Sequence, residues 1–312
     1  MNKVVVIAGP TASGKSALAI AIAEAFDGVV VNADSMQVYD GLRILTARPS
    51  VEDERRAPHR LYGVLPPTEL CSAGRWCGLA VEVCEDAWRR GKLPVVVGGT
   101  GLYLKALMEG LSPIPDVPEA VRQETRAHFA ALGNQAFHGA LAEIDPRMAA
   151  RLHPSNSQRL MRAWEVLAAT GRSLADWQAE PPVAPVAARF SVLAVLPARE
   201  RLYAQCDGRF TAMIERGALA EVHALMARGL DPALPVLKAL GVPELAGVLR
   251  GETSLEQAVA AAQTATRHYA KRQMTWFRHQ LAADQTVSAQ LSESLQDEIL
   301  SNIRRFLLTE AE

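Results

Sequence analysis

Residues 9–16, Gly9-Pro10-Thr11-Ala12-Ser13-Gly14-Lys15-Ser16, are the segment of this chain best suited to chemistry. They fit the pattern GxxxxGK[ST] between an apolar, β-branched run at 3–8 and a helix-forming run at 15–26. In that setting the glycines let backbone N–H groups wrap a phosphate, and the helix start adds partial positive charge. Lys15 neutralises phosphate oxygens, and the Ser16 hydroxyl can ligate Mg²⁺. The motif points to a di- or triphosphate and leaves its fate open. The DxxG and NKxD strings of a GTPase are absent. The apolar run at 94–97 leads into Gly98-Gly99-Thr100, without the carboxylate that often holds Mg²⁺ in kinases and ATPases. After the apolar run at 29–32, the first acid is Asp34, followed by Ser35, Met36 and Gln37. In a doubly wound sheet Asp34 lies near the carboxyl ends of the strands, where ligands bind. For an isolated Asp-Ser there, an Asx-turn or a helix N-cap is the ordinary reading and outweighs a functional one.

The elements that must position these residues alternate. Strand-like runs at 3–8, 29–32 and 94–97 are separated by helical runs at 15–26 and 76–90, and a further helix follows to 110. This order predicts an α/β fold: a parallel, doubly wound sheet with helices on both faces. Two proline-rich junctions, 112–118 and 181–185, bracket a stretch with helical spacing only. The expected organisation is therefore an α/β core, 1–112 with 188–312, and an all-helical insertion at 113–187. Strand character returns at 190–196, and helices dominate from 200 to about 281 and near the end.

Of the 312 residues, 49% are hydrophobic and 21% charged, enough for a substantial core and against wholesale disorder. The apolar runs are too short to span a bilayer, and no cleavable leader is expected. Cys71, Cys77, Cys84 and Cys206 lack zinc-type spacing and are too few for a disulfide scaffold, so a reduced, cytoplasmic protein is expected.

A net charge of −1 neither predicts nor excludes a polyanion partner, but two stretches are locally basic. Residues 147–172 hold five arginines and one acid, Glu165. Residues 264–283 hold Arg267, Lys271, Arg272, Arg278 and two histidines, without an acid. A solvated helix face is the ordinary reading of such runs. On a helix through 158–167, Leu160, Trp164 and Leu167 form one stripe, with Gln158 and Arg162 together opposite, placed to bond a base or a phosphate. On the later helix Arg267, Lys271 and Arg278 share one face, with Tyr269 and Trp276 opposite, so Trp276 reads as packing. On a helix from about 200, Arg209 falls beside the stripe Leu202, Cys206, Phe210, Met213. A charge there needs a partner, either a salt bridge or a bound anion.

Five strings occur in order: GPTASGKS at 9–16, DSMQVY at 34–39, GGTGLYLKALMEGL at 98–111, HPSNSQRLMRAWEV at 153–166 and TRHYAKRQMTWFR at 266–278. With them the chain resembles the bacterial tRNA isopentenyltransferases, or dimethylallyltransferases, over about residues 4–277. The resemblance implies that the loop from Gly9 to Ser16 holds the diphosphate of dimethylallyl diphosphate, with Mg²⁺ at Ser16. The allyl group would pass to N6 of the adenosine 3′ of the anticodon, giving N6-isopentenyladenosine and diphosphate. Asp34 becomes the general base, Thr100 a contact to the diphosphate or the amine, and Arg209 a clamp on the leaving group. For Thr100 a helix N-cap is the ordinary role, and both roles can hold at once. The implied tRNA contacts are Asp34, Ser35, Met36, Gln37, Thr100, Arg122, Gln158, Arg159, Leu160, Met161 and Arg162. The adenine would be extruded onto Asp34 and Gln158, while the insertion grips the anticodon stem through phosphates and shape. A monomer is expected.

One segment departs from the family pattern: Lys238-Ala239-Leu240-Gly241-Val242-Pro243 replaces a Gly-Tyr-Lys-like string. Val242 takes the tyrosine position and Pro243 removes a donor, so an RNA contact is lost or remade through Lys238 and the backbone. No C-terminal Cys/His zinc finger is seen, unlike the longer eukaryotic form. Three rivals share the phosphate loop: a prenyltransferase acting on free AMP or ATP, a small-molecule kinase, and a non-catalytic nucleotide-gated RNA-binding protein. The basic helical insertion argues against the first.

Overall fold

The computed structural model describes residues 1–288 and 292–309. One compact unit comprises Met1–Met108 and the chain from Pro185 onward; the other is Glu109–Ala184. The first unit opens with β1 (Asn2–Ala8), α1 (Lys15–Ala25), β2 (Gly28–Asn32), α2 (Val51–Arg56), β3 (His59–Arg60), α3 (Ala73–Arg89), β4 (Leu93–Gly98) and α4 (Gly101–Met108). The second unit holds α5 (Glu119–Ile144), α6 (Pro146–Ala149), α7 (Ser157–Thr170) and α8 (Leu174–Trp177). The first then resumes with β5 (Ala188–Val195), α9 (Arg199–Glu215), α10 (Ala218–Met226), α11 (Val242–Leu249), α12 (Leu255–Gln280), β6 (Gln285–Val287) and α13 (Glu293–Leu308).

The six strands form one sheet in the order β3-β2-β4-β1-β5-β6, every neighbouring pair parallel. Val4, Val6 and Ala8 pack into the core on one face, Val5 and Ile7 into the core on the other. Both faces are covered, which is why these strands read as unbroken apolar runs rather than alternating ones. Because β2, β4 and β1 are adjacent, the loops leaving their carboxyl ends, which begin at Ala33, Gly99 and Gly9, lie side by side. The sequence shows no sign of α2, β3 or β6; the two strands have two and three residues and sit at the sheet edges, too short for any period.

The helical unit packs around Phe137, Leu141, Leu160, Ala163 and Val166. Gly133 interrupts α5 with φ 71°, a left-handed conformation that ends one helical stretch and starts the next. On α7 the fully buried stripe is Leu160, Ala163 and Val166, with Trp164 only partly buried against it. The expected Leu160–Trp164–Leu167 stripe is therefore rotated by about one position, because the small Ala163 lets the helix approach its neighbours most closely.

Candidate active site

The phosphate loop begins where β1 ends, at the middle of the sheet. Ala12 and Gly14 both adopt positive φ, 62° and 89°, which curls the backbone around the start of α1. The Lys15 ammonium bonds the Pro10 carbonyl at 3.0 Å. Residues 12–17 line a cavity of about 390 Å³ with Gln205, Gly208 and Arg209 of α9. Thr11 differs from the rest of the loop. Its N–H goes to Gln273 Oε1 at 2.9 Å, and its hydroxyl accepts a bond from Arg209 Nη2. Ser13 Oγ and Gln205 Oε1 are buried without a partner among the described residues, polar capacity that a ligand and its bound water would use.

Of its two alternatives, Arg209 does not form the salt bridge. It has no carboxylate partner among the described residues; its guanidinium reaches into the phosphate loop instead. Burial pushes its pKa down, opposed by Cys206 and Asp34. Lys15 is lowered to about 8, mainly by burial, with Asp34 opposing and Arg209 adding to the shift. Two poorly solvated cations therefore face one cavity, an arrangement that a bound polyanion relieves.

Asp34 is set by Asn32, the last residue of β2. Asn32 is fully buried and entirely satisfied: its Nδ2 donates to the Asp34 and Leu61 carbonyls at 3.0 Å, and its Oδ1 accepts the Asp34 N–H at 2.8 Å. Asp34 Oδ1 then accepts the Met36 N–H at 2.9 Å. The Asx-turn is real, but it uses one carboxylate oxygen and leaves Oδ2 without a partner among the described residues. Gly98 is what brings the next loop close, since a Cβ there would fall 2.0 Å from the Ala33 carbonyl oxygen. Thr100 donates its N–H to that carbonyl at 3.1 Å, and its Oγ1 accepts the Ser35 N–H at 2.9 Å. Its hydroxyl oxygen thus ties two loops together rather than capping α4. Gln37 Nε2 is spent inside its own loop, on the Thr46 and Ala47 carbonyls. Burial, and next the Asp34 charge, push up the phenols of Tyr62 and Tyr269.

The remaining expected RNA contacts lie in the helical unit. Gln158 and Arg159 are exposed on the first turn of α7, Met161 and Arg162 are partly exposed, and Leu160 is fully buried. The Leu160 side chain is core, so it holds the helix and presents nothing to RNA. Arg162 pairs with Glu165 at 3.6 Å. Glu165 also feels Arg122 and Arg126, yet burial outweighs the three cations and raises its pKa. Arg122 Nε is buried without a partner among the described residues. Arg147 and Arg172, at the ends of the basic run, pair with Asp176 and Glu180, acids beyond the run. Likewise Arg267 pairs with Asp207 of α9 at 2.6 Å, which removes it from the expected phosphate face and leaves Lys271, Arg272 and Arg278 exposed on α12. Trp276 packs partly buried against the core, as its position opposite those cations predicts. Val242 is buried, and Pro243 sits in the first turn of α11, where no helix N–H is needed.

Asn32, Gln205 and Gln273 are site residues that the sequence does not announce. Asn32 carried a signal, a polar residue closing an apolar strand, and so did Gln273, which stands at core spacing with Thr266, Ala270 and Phe277. Gln205 carried none.

Fold and site together define a P-loop α/β protein that offers a phosphate-chain cavity beside an available carboxylate. A family model described as IPP transferase matches residues 37–280, and one described as isopentenyl transferase matches residues 2–64. The chain belongs to the IPP transferase family. It is 61% identical over 305 residues to a tRNA dimethylallyltransferase of Paramagnetospirillum magneticum, covering 98% of this chain and 97% of the relative. A Rhodospirillum centenum protein of the same name is 60% identical over 281 residues, 90% of each chain. The crystal structure of a full-length tRNA isopentenylpyrophosphate transferase from Bacillus halodurans superposes with TM-score 0.71 at 33% identity, covering 98% and 97% of the two chains. A eukaryotic dimethylallyltransferase described as acting on tRNA superposes with TM-score 0.84 at 27% identity, covering 98% of this chain and 80% of that one.

Proposed function

We infer that this chain transfers the dimethylallyl group of dimethylallyl diphosphate to N6 of the adenosine 3′ of a tRNA anticodon, releasing diphosphate. The observation that carries the reading is a carboxylate oxygen of Asp34 left without a partner among the described residues, on the loop beside a cavity lined by two cations, Lys15 and Arg209, that have no acidic partner among them. A kinase would need that cavity for a nucleotide; a transferase needs it for a leaving group. The names of the relatives point the same way.

The step breaks the bond between the allyl carbon and a diphosphate oxygen and forms a carbon–nitrogen bond to the adenine amine. The amine proton passes to Asp34 Oδ2, and the electron pair of the broken bond leaves on diphosphate. Lys15, Arg209 and the N–H groups that open α1 absorb that charge as it develops. Thr100 Oγ1 keeps the Asp34 loop still while its own O–H is available to substrate. A carboxylate is the right partner, because the amine lone pair is delocalised into the ring, and accepting the proton as the carbon–nitrogen bond forms keeps positive charge from building on the nitrogen.

Mg²⁺ fits this site only as a guest of the diphosphate. Among the described residues no group of three or more acidic, histidine or cysteine side chains could cage a metal, but Mg²⁺ keeps waters and takes phosphate oxygens readily. Ser16 is exposed on the first turn of α1 and would supply the one protein oxygen. When bound, the ion would neutralise phosphate charge. The exposed Gln158 and Arg159, at a helix start, suit the RNA backbone and a splayed base. The working unit proposed is a monomer. A tRNA substrate and four free thiols suit a reaction in the cytoplasm. No helix among the described residues is long and apolar enough to cross a membrane.

Labelled dimethylallyl diphosphate, offered with Mg²⁺ to an unmodified anticodon stem-loop and in parallel to AMP and ATP, tests the reading. Label on the stem-loop alone supports it. Label on a free nucleotide transfers the chain to the nucleotide prenyltransferases, and no label with turnover of ATP makes it a kinase. Arg162→Ala is expected to weaken stem-loop binding and to reduce the salt slope by about 1. An unchanged slope would strike Arg162 from the phosphate contacts. Glu165→Gln, which releases Arg162, is expected to act in the opposite direction.

A further inference from the structure

Gln273 is buried in α12 among Ala270, Met274 and Phe277, a place a leucine or methionine would fill as well. Both ends of its amide are in use. Oε1 accepts the Thr11 N–H at 2.9 Å, and Nε2 donates to the Gly99 carbonyl at 2.8 Å. A Cβ on Gly99 would lie 2.3 Å from Nε2, so this loop approaches α12 as closely as only glycine permits. Thr11 is also the residue whose hydroxyl receives Arg209. Gly99 precedes Thr100, whose Oγ1 receives the Ser35 N–H beside Asp34. One planar amide on a rigid helix thus spans the loop for the leaving group and the loops that carry the base. It also keeps the Thr11 N–H out of the phosphate cradle, which narrows the loop's anion donors to those nearer α1.

We propose that Gln273 is a positioning residue for the transfer step: its amide sets the spacing between the phosphate loop and the Asp34–Thr100 pair without touching substrate. Near-attack geometry is the reason this matters. Carbon and nitrogen must meet at about 3–3.5 Å, and an error of about 1 Å costs roughly 10²-fold in rate. An apolar residue at 273 would leave the partly buried Thr11 N–H and the buried Gly99 carbonyl without this partner, and they would drift toward others.

The proposal rests on the transfer reading, so the wild-type protein is assayed first with labelled dimethylallyl diphosphate and the stem-loop; no transfer by wild type overturns that reading and not this one. With transfer established, Gln273→Met is expected to lower kcat about 10²-fold, with KM for the diphosphate and Kd for the stem-loop within about threefold. Gln273→Glu supplies the discriminating readout. Ionised, the introduced carboxylate still accepts from Thr11 but repels the Gly99 carbonyl; protonated, it has the donor and acceptor ends of the amide. Its kcat relative to wild type is therefore expected to rise about tenfold or more as pH falls from about 8 to 6. The ratio divides out the wild-type pH dependence of the charged and titratable side chains around these loops, Lys15, Asp34, Tyr62, Cys206, Arg209 and Tyr269. A flat ratio, or a methionine variant with kcat within about threefold of wild type, overturns the proposal. If the methionine variant does not fold, the pH ratio decides alone.

Discussion

Asp34→Asn is expected to lower the single-turnover rate by about 10²-fold or more while stem-loop and diphosphate affinities stay within a few-fold. The asparagine is chosen because its carbonyl can still accept the Met36 N–H that Asp34 Oδ1 accepts at 2.9 Å, so the turn survives. The Asn32 bonds go to the Asp34 backbone and are untouched. What disappears is the oxygen that accepts the amine proton. Thermal stability should therefore barely move, and quenched-flow transfer from pre-bound substrates is the measurement. A variant that keeps its transfer rate but loses RNA would make Asp34 a binding residue and leave the reaction without an assigned base.

Lys15→Met should have the other large effect, with opposite signs on stability and activity. Turnover is expected to fall about 10²- to 10³-fold, the scale seen when one charge-stabilising donor is removed from a transition state. The empty protein, however, should become more stable. Burial lowers the Lys15 pKa from 10.5 to about 8, so between those values the unfolded chain binds more protons than the folded one. Stability from this group thus rises with pH across that window, and below about 8 its full penalty applies. That penalty is roughly 3 kcal/mol at most. The lost bond to the Pro10 carbonyl offsets about 1 kcal/mol of the gain. A rise in Tm of a few degrees near neutral pH, shrinking toward pH 10, would show that the cation is held at a cost which the diphosphate relieves. The same titration predicts that wild-type kcat/KM for the diphosphate declines as pH passes about 8, where Lys15 loses its proton. An unchanged or lower Tm in the methionine variant would mean that solvent reaches the ammonium freely.

Sequence by itself determined the parts whose signal is local. Glycines at 9 and 14 with Lys15 and Ser16 between a strand and a helix can hardly be read otherwise, because backbone curl and helix dipole are properties of a few consecutive residues. The same holds for the parallel sheet, since a strand buried on both faces must be apolar throughout, as Val4 to Ala8 are. Charge patterns were legible only in part. Arg147, Arg172 and Arg267 look available within their own runs, and their partners Asp176, Glu180 and Asp207 come from elsewhere along the chain. Tertiary structure alone decided which oxygen of Asp34 is available, where Arg209 points, and that a glutamine 262 residues beyond Thr11 measures the distance between two loops. Those facts depend on strand order, which sets β2, β4 and β1 side by side, and on α12 passing over their ends. Hydrogen bonds between distant segments leave no period and no spacing in the chain, so only the folded geometry can reveal them.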